Sequence, residues 1–336
     1  MYVSNLKLIN LRNHTNSFFE LSNETLFIGD NGSGKTTILE AIYILFGLRS
    51  FKKQPLSSAV TFNEDFFRIE SEIIDGSLTS DAVCLFKNKR ITMINGEDIE
   101  DIADYVYNHP IACYTPEMLG ILSKDQQDRR NFIDRFIFYY DKEHIYDIKH
   151  YNRLLSQKQA EFEKEKSDLI YLDVLNEKII SLSEKIYSKR IKIIDEVNKN
   201  LKELYNNLDF NMENVFINYS SNISDKSLLN KEKFMKKSLY GIHRDKIEMC
   251  LNEKIIEKFS STGQKKTFIL LSLYSFIKVI EESRKISIIT LLDDFEAALD
   301  KKRAEYIKNI FSSKRQVLYT GVENNRLNFE NVITIK

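Results

Sequence analysis

The hydrophobic positions near the start of the chain lie in short runs typical of strands. One run occupies residues 3–11, and a second, 26–28, leads directly into a glycine-rich segment. Between residues 66 and 100 apolar and polar positions alternate, and Asn95-Gly96 is a dipeptide typical of a tight hairpin turn. Residues 37–48 instead carry apolar side chains at helical spacing, so a helix is predicted immediately after the glycine-rich segment.

The pattern changes near residue 116. From about Lys124 to Leu208 the chain contains neither Gly nor Pro. Apolar residues between 172 and 208 step by three and four, which predicts a helical arm of roughly 55 Å with a heptad-like seam. An earlier helical stretch, 132–162, is expected to return against this arm after a break near Ser167-Asp168. A plain helical subdomain with no moving role fits the same spacing.

Strand-like patterns return in the last third of the chain. Residues 286–292 are a continuous apolar run, as in a strand buried on both faces, and 316–320 form a further short strand. We therefore predict an α/β fold in which residues 1–115 and 240–336 form lobe I. Residues 116–239 form the inserted helical lobe II.

Composition excludes several classes of protein. Hydrophobic residues make up 43% and charged residues 29%, and no apolar run approaches the roughly 20 residues of a membrane span. The N-terminus lacks a signal pattern, so we expect a cytoplasmic protein with no membrane partner. Cys84, Cys113 and Cys250 are far apart and fit no metal or disulfide spacing, which favours buried thiols in a reducing compartment.

Charge is balanced overall, with 49 basic and 49 acidic residues, so composition alone does not indicate a nucleic-acid partner. Local charge varies, because residues 226–246 carry seven Lys or Arg and two acids, a net charge of +7 − 2 = +5. Either a solvated face or a binding patch is compatible with this segment.

The glycine-rich segment matches the phosphate-loop pattern G-x-x-x-x-G-K-[ST] between a strand and a helix. Its backbone N–H groups and the positive end of the helix form an anion cradle. Lys35 would carry charge to the β- and γ-phosphates, and the Thr36 hydroxyl would bind Mg²⁺, so ATP and Mg²⁺ are the predicted cofactors. The predicted nucleotide-binding residues are Gly29, Asp30, Asn31, Gly32, Ser33, Gly34, Lys35, Thr36 and Thr37.

The apolar run 286–292 ends in two acids, Asp293 and Asp294. In a phosphate-loop ATPase the first acid of such a pair holds Mg²⁺, here together with Thr36, and the second polarises the attacking water. A strand that simply ends at a solvated turn has the same pattern. The presence of the phosphate loop favours the metal site.

Upstream of the acidic strand, Ser261, Gly263 and Gln264 begin a predicted helix and resemble the signature motif of ABC ATPases. In that class, the signature of one subunit closes over the γ-phosphate held by the other. Ser261 would donate a hydroxyl and Gly263 a backbone N–H, so these residues join Lys35 and Asp294 as catalytic candidates. Residues 297–300, AALD, are similar to the dimer-contact loop of the same class. A lone S-x-G-Q is also a common helix cap.

Several longer stretches resemble the RecF family of SMC-like DNA replication and repair ATPases. The resemblance covers nearly the full chain and implies an ABC-type (SMC-like) ATPase head with mixed sheets around the phosphate loop. It also implies an inserted helical lobe with a short antiparallel coiled arm. The stretches are LRNH at 11–14, GDNGSGKTTILEAIYILFGLRSF at 29–51, YTPEMLGILSKDQQDRRNFIDR at 114–135, GIHRD at 241–245, FSSTGQKKT at 259–267 and LLDDFEAALD at 291–300.

The same resemblance implies a weak, DNA-stimulated ATPase that acts as a switch. It implies an ATP-dependent homodimer that binds duplex DNA at single-strand gaps and works with RecR and RecO in loading RecA. Arg12 is similar to the family's early basic contact to nucleotide.

This sequence departs from the common ABC pattern at four positions. Thr262 stands where transporters carry Gly, which argues against a transporter ATPase. Asp294 stands where many ABC proteins carry Glu, and its shorter side chain suggests slow turnover. No His follows strand 316–320 as a γ-phosphate sensor, and Thr320 is the candidate substitute. Ala297 replaces a more common Ser.

DNA contacts are harder to predict, because basic residues also serve structural roles. Arg129 and Arg130 either bind DNA or pair with acids inside the helical lobe, and Arg244 beside Asp245 is either a contact or structural. If the contacts reach phosphates, binding should depend strongly on salt and weakly on sequence. The candidates are Arg49, Lys52, Lys53, Arg129, Arg130, Arg135, His243, Arg244 and Lys246.

Three other functions share some of these motifs. A stand-alone SMC-like head would bridge DNA without loading a recombinase. A nuclease with an ABC head needs a further acidic metal site, and only about forty residues follow Asp294 in this sequence. The coiled arm and residues 114–135 argue against a transporter subunit.

Overall fold

The computed structural model describes residues 1–123, 125–208, 214–322 and 327–336. The chain divides into two compact units, one formed by Met1–Leu119 with Thr262–Lys336 and the other by Gly120–Ser261. In chain order the strands are β1 (Tyr2–Val3), β2 (Asn5–Leu11), β3 (His14–Glu20), β4 (Glu24–Ile28), β5 (Phe67–Asp75), β6 (Leu78–Lys87), β7 (Lys89–Ile94), β8 (Glu97–Asp98), β9 (Ile111–Tyr114), β10 (Val215–Ser220), β11 (Lys246–Leu251), β12 (Lys254–Ile255), β13 (Ile289–Leu292), β14 (Val317–Gly321) and β15 (Asn331–Thr334). The α-helices are α1 (Lys35–Gly47), α2 (Ile102–Asn108), α3 (Gln126–Tyr140), α4 (Glu143–Glu163), α5 (Leu169–Asn206), α6 (Leu228–Met235), α7 (Ile256–Phe259), α8 (Thr262–Arg284) and α9 (Lys301–Ser312). Short 3-10 turns occupy Leu56–Ala59, Pro116–Leu122 and Ile242–Arg244.

The first unit contains a parallel sheet with strand order β15-β4-β14-β13-β9. All four residues of β13 and all five of β14 are buried, as expected for central strands of a parallel sheet. Because the strands are parallel, the carboxyl ends of β4, β13 and β14 meet at one edge of the sheet. The glycine-rich loop, the acidic pair and Thr320 are all placed at that edge.

A second, largely antiparallel sheet in the same unit has the order β3-β2-β5-β6-β7-β8, with β1 paired to β5. Strands β7 and β8 pair Ile94 with Glu97, so Asn95-Gly96 forms the two-residue turn between them. Both turn residues have positive φ, 51° and 82°, as this type of hairpin requires. The predicted hairpin is confirmed.

The second unit is built on the arm formed by α4 and α5, which pack against each other. Asp168 accepts hydrogen bonds from the N–H groups of Ile170 and Tyr171 and begins α5, which confirms the predicted break. The predicted seam residues of α5 are buried except Leu182, which is partly exposed. The earlier stretch 132–162 is not one helix, because α3 ends at Tyr140, and Asp141 accepts from the N–H of Glu143 to start α4.

The boundary between the units differs from the sequence expectation on the C-terminal side. The return to the first unit was expected at residue 240 and lies at Thr262. The reason is that β11 pairs antiparallel with β10 over six residues and α3 packs on β11, which keeps residues 240–261 with the helical unit. None of the helices in the described ranges is both long and apolar enough to cross a membrane.

Candidate nucleotide-binding site

The glycine-rich loop connects β4 to α1 in a backbone conformation that requires glycine. Gly34 has φ +103°, and a Cβ there would lie 2.5 Å from Asn13 Nδ2 and from His14 Nε2. At Gly29, φ is +152° and a Cβ would collide with the backbone oxygen of Ile335. Strand, loop and helix therefore have the backbone geometry that the predicted phosphate cradle needs, with the helix N-terminus at its base.

Lys35 folds over this loop. Its ammonium donates to the backbone oxygens of Gly29 at 2.6 Å and Asp30 at 2.8 Å. A cation held by loop carbonyls lies where it can transfer to the oxygens of a phosphate that enters the cradle.

The loop is joined to the acidic strand by Thr36. Its hydroxyl donates to Asp293 Oδ1 at 2.9 Å, with Oδ2 at 3.2 Å. Asp293 is buried, and burial, assisted by the nearby charges of Asp294 and Glu117, raises the pKa of its carboxyl, although hydrogen bonds from Thr320 and Thr36 oppose the rise. One hydroxyl and one carboxylate beside a phosphate cradle are the oxygen ligands that Mg²⁺ uses with nucleotides, so these residues fit the ion.

Asp294, the second acid, has φ +48°, in the left-handed region that few non-glycine residues adopt. Its backbone N–H donates to the Thr320 hydroxyl at 2.9 Å, and that hydroxyl donates in turn to Asp293 Oδ1 at 2.6 Å. Thr320 therefore binds both members of the acidic pair.

A cavity of about 500 Å³ opens above the loop. Among the described residues, the predicted nucleotide-site residues that line this cavity are Arg12, Asn31, Gly32, Gly34, Lys35, Thr36, Thr37, Asp293, Asp294 and Thr320. Gly29, Asp30 and Ser33 belong to the loop without lining the cavity. The volume is in the range of small-molecule sites.

Arg12 is fixed at the cavity by Glu40, which the sequence analysis missed. Nε and Nη2 of Arg12 donate to the two carboxylate oxygens at 2.6 and 2.8 Å, and Glu40 is 0% exposed. Burial would raise the pKa of Glu40, but Arg12, Ser50 and Lys52 outweigh it and lower the pKa. The hydrogen bond to Glu40 is also the main cause that raises the pKa of Arg12. The sequence signal that could have indicated this contact is Glu40 itself, an acidic residue among the apolar residues of α1.

The signature residues lie at the start of α8. Ser261 is exposed and directly precedes the helix, and Gln264 lies in its first turn. A Cβ at Gly263 would lie 3.0 Å from the Ala298 carbonyl oxygen, so the signature glycine faces the loop that follows the acidic pair. Neither Gly263 nor Gln264 is among the described residues that line the cavity.

Lys266 ties α8 to that loop and was also missed. Its buried ammonium donates to the carbonyl oxygens of Asp294 and Ala297, both at 2.7 Å. It also lies 5.4 Å from the centroid of the Tyr114 ring. Burial lowers the pKa of Lys266 to about 8, although Asp294 and Asp293 act in the opposite direction.

The basic residues considered for DNA contact differ in burial and in hydrogen-bond partners. Arg129 is buried and donates to the backbone oxygens of Ile121, Leu122 and Ile247, and buried Arg130 donates to that of Asp245. Both arginines therefore have partners within Gly120–Ser261, but these partners are carbonyl oxygens and not the acids that were expected.

The remaining basic candidates are less buried. Arg244 donates through Nε and Nη2 to the Ser238 oxygen. His243 bonds Tyr151, and burial lowers the pKa of His243 to about 4. Arg135 donates to Tyr139, and Lys52 pairs with Glu40. Arg49, Lys53 and Lys246 are exposed.

A phosphate loop, an acidic strand end and a signature-like helix on mixed sheets define the class as a phosphate-loop ATPase with an ABC-type, SMC-like head. The family model described as AAA ATPase domain matches residues 1–333, and the chain belongs to this family.

Among curated proteins, the chain is similar to the DNA replication and repair protein RecF of Clostridium perfringens strain SM101. Identity is 28% over 345 residues, which cover 96% of this chain and 94% of that protein. The RecF protein of Chlorobaculum tepidum is 27% identical over 347 residues, with coverage of 96% and 94%.

Solved structures support the same fold. A structure of the recombination mediator protein RecF with ATP, in the RecFOR pathway, matches with a TM-score of 0.85 at 22% identity, over 99% of this chain and 95% of that one. An SMC head bound to the C-winged helix domain of ScpA matches with a TM-score of 0.58 at 14% identity, over 99% and 94%. The predicted fold class and the resemblance to RecF are confirmed.

Proposed function

We propose that this protein is an ATP-driven DNA switch of the RecF type, acting in replication and recombinational repair. It binds duplex DNA at single-strand gaps as an ATP-dependent homodimer, hydrolyses ATP slowly, and works with RecO and RecR to load RecA. The strongest support is the contact of Thr36 with Asp293, which joins the phosphate loop to the acidic strand beside a nucleotide-sized cavity. The family match and the similarity to RecF proteins support the same function.

Each residue of the site has a role in this proposal. Residues 29–37 cradle the phosphates, and Lys35 moves from the loop carbonyls to the β- and γ-phosphates. Thr36 and Asp293 hold Mg²⁺, which supplies neutralisation of phosphate charge when bound. Asp294 orients the attacking water, and Arg12, held by Glu40, contacts the nucleotide.

The signature would act on the partner subunit. Gly263 and Gln264 do not line their own cavity, which suits a role in trans together with Ser261. Closure of two subunits would place these donors on the partner's γ-phosphate, with the positive end of α8 behind them. ATP then stabilises the closed, DNA-binding state of the dimer, and ATP hydrolysis allows the dimer to open and release the DNA.

DNA would be held through its phosphates. Arg49, Lys53 and Lys246 are exposed candidates. Lys52 and Arg244 are exposed too but bind Glu40 and the Ser238 oxygen, and Arg129 and Arg130 are buried inside their own unit. Binding through lysine and arginine side chains should weaken steeply as salt rises and depend little on sequence.

The proposal is tested by ATP turnover of the purified protein alone, with duplex DNA and with single-stranded DNA. A Lys35→Met variant sets the background. Stimulation by duplex DNA that disappears in Lys35→Met is the expected result. Turnover that is the same with every DNA would refute the coupling of ATP hydrolysis to DNA.

A further inference from the structure

A group of large apolar side chains is exposed where α4 turns into α5 and where α6 ends. Ile170 is 80% and Phe234 is 89% exposed. Side chains of this size are unusual in such a group on the surface of a soluble protein, and an exposed apolar patch commonly marks an interaction site. The group consists of Leu169, Ile170, Tyr171, Val174, Phe234 and Met235, and we call it the arm-tip surface.

Two contacts bring these residues together from distant parts of the sequence. Lys233, beside Phe234, pairs with Asp173, beside Val174, at 2.9 Å between Nζ and Oδ1. Lys236 Nζ donates to the backbone oxygen of Lys164, in the turn between α4 and α5, at 3.2 Å. The end of α6 is therefore anchored against the tip of the arm.

The arm itself does not need these side chains. Its packing uses Leu172, Leu175 and Ile179, which are buried on another face of α5. At about 25 cal/mol per Å² of apolar surface, a partner that covers the exposed face gains free energy that the isolated protein leaves unused.

Unpaired positive charge lies on the α6 side of the arm-tip surface, because within the described part of the chain Lys231 and Lys237 make no ion pair. Asp173 is paired with Lys233, and Glu232 is buried in a pair with Lys158. In the turn between α4 and α5, Asp168 keeps its negative charge while it accepts from two backbone N–H groups, and Glu163 and Glu165 stand beside Lys166. A partner with acidic side chains is therefore complementary to the α6 side of this surface.

We propose that the arm-tip surface docks a short amphipathic segment of a partner protein that carries acidic residues beside apolar ones. Ile170 and Tyr171 lie four and three residues, about one helical turn, before Val174, the spacing used when a helix is laid along an apolar strip. Single-stranded nucleic acid is the less suitable occupant, because stacking uses rings, and only Tyr171 and Phe234 of the group have them.

The test uses the full chain and fluorescence anisotropy. The probe is a labelled peptide of about 16 residues with Leu and Phe on one helical face and Glu elsewhere. Control probes replace Glu with Lys, replace Leu and Phe with Ser, or are an oligo(dT) of about 16 nucleotides. Ile170→Ser and Phe234→Ser remove apolar area, and Leu78→Ser, at a residue 72% exposed in the other unit, is the matched control.

Saturable binding of the acidic amphipathic peptide is expected, weakened about tenfold by Ile170→Ser or Phe234→Ser and unchanged by Leu78→Ser. The double variant Lys231→Glu, Lys237→Glu should also bind the acidic peptide more weakly than the wild type. Because the replaced side chains are exposed, melting temperature and ATP turnover should stay at wild-type values. The proposal would be overturned if the peptide did not bind or if all variants bound it equally. It would also be overturned if Ile170→Ser and Phe234→Ser lost oligo(dT) binding alone.

Discussion

The hydroxyl of Thr320 lies 2.6 Å from Oδ1 of Asp293, the same oxygen that accepts the Thr36 hydroxyl. Thr320 also accepts from the N–H of Asp294. One buried hydroxyl at the end of β14 thus fixes the carboxylate of the first acid and the backbone of the second. The carboxyl edge of the parallel sheet is held together through side chains as well as through its strands.

Thr320→Val should reduce ATP turnover about tenfold to a hundredfold, because Asp293 and Asp294 lose the group that orients them. ATP binding should change much less, since the phosphate loop is intact. Steady-state turnover and nucleotide titration separate the two effects. Thr320→Ser keeps the hydroxyl and should retain most of the activity, and a valine variant with wild-type turnover would contradict this role.

Lys266→Met should lower kcat about tenfold or more with little effect on the KM for ATP. The ammonium holds the Asp294 and Ala297 carbonyls, and without it the loop after the acidic pair is free to shift. Lys265→Met, one residue away, is the matched control. A raised KM with an unchanged kcat would show instead that Lys266 acts on nucleotide binding.

Glu40→Gln should lower the free energy of unfolding by about 3 kcal/mol, because the carboxylate is buried and its removal leaves Arg12 and Lys52 without their partner. ATP affinity should fall too, since Arg12 is no longer fixed at the cavity. Urea unfolding and nucleotide titration measure the two effects. Glu20→Gln, at an exposed position, should be neutral in both, and equal results for the two variants would refute the proposed role of Glu40.

Acid stability should depend on Asp134 in the helical unit. Burial raises the pKa of this carboxyl, but the charge and hydrogen bonds of Arg190 and the hydrogen bond from His144 outweigh it and lower the pKa to about 2. A lowered carboxyl pKa stabilises the fold above the unfolded value of 3.8, and this stability is lost as pH falls towards about 2.

This shift corresponds to about 2 kcal/mol of unfolding free energy. Urea unfolding should be measured between about pH 5 and pH 2, the range over which this stabilisation is lost. The free energy of unfolding should fall by that amount in the wild type and by less in Asp134→Asn. The variant should also be less stable at neutral pH because Arg190 loses a partner. The same slope with pH in both proteins would exclude Asp134 as its origin.

Local patterns explain why the strand, loop and helix of the candidate nucleotide site could be predicted. Residues 26–48 form a strand, loop and helix whose signals lie within one stretch of sequence. The arm was equally visible, because its spacing repeats and Asp168 caps the second helix. The break at Asp141 was missed because neither Gly nor Pro marks it. At this break the Asp141 side chain accepts a hydrogen bond from the N–H of Glu143.

The contacts that organise the site were not predictable in the same way. Arg12 and Glu40 are 28 residues apart, and Lys266 reaches carbonyls 28 and 31 residues away. Such pairs depend on how strands and helices pack, and a single sequence carries no signal of that packing. The boundary at Thr262 was missed for the same reason, because it follows from the pairing of β10 with β11.

The most direct test of the central claim is whether ATP controls DNA binding. Anisotropy of a labelled gapped duplex would be measured with ATP, with ADP and without nucleotide, for the wild type, Lys35→Met and Asp294→Asn. We expect tight binding only with ATP in the wild type, persistent ATP-dependent binding in Asp294→Asn, and no response to ATP in Lys35→Met. Equal affinity in all nucleotide states of the wild type, or an unchanged response in Lys35→Met, would contradict the account.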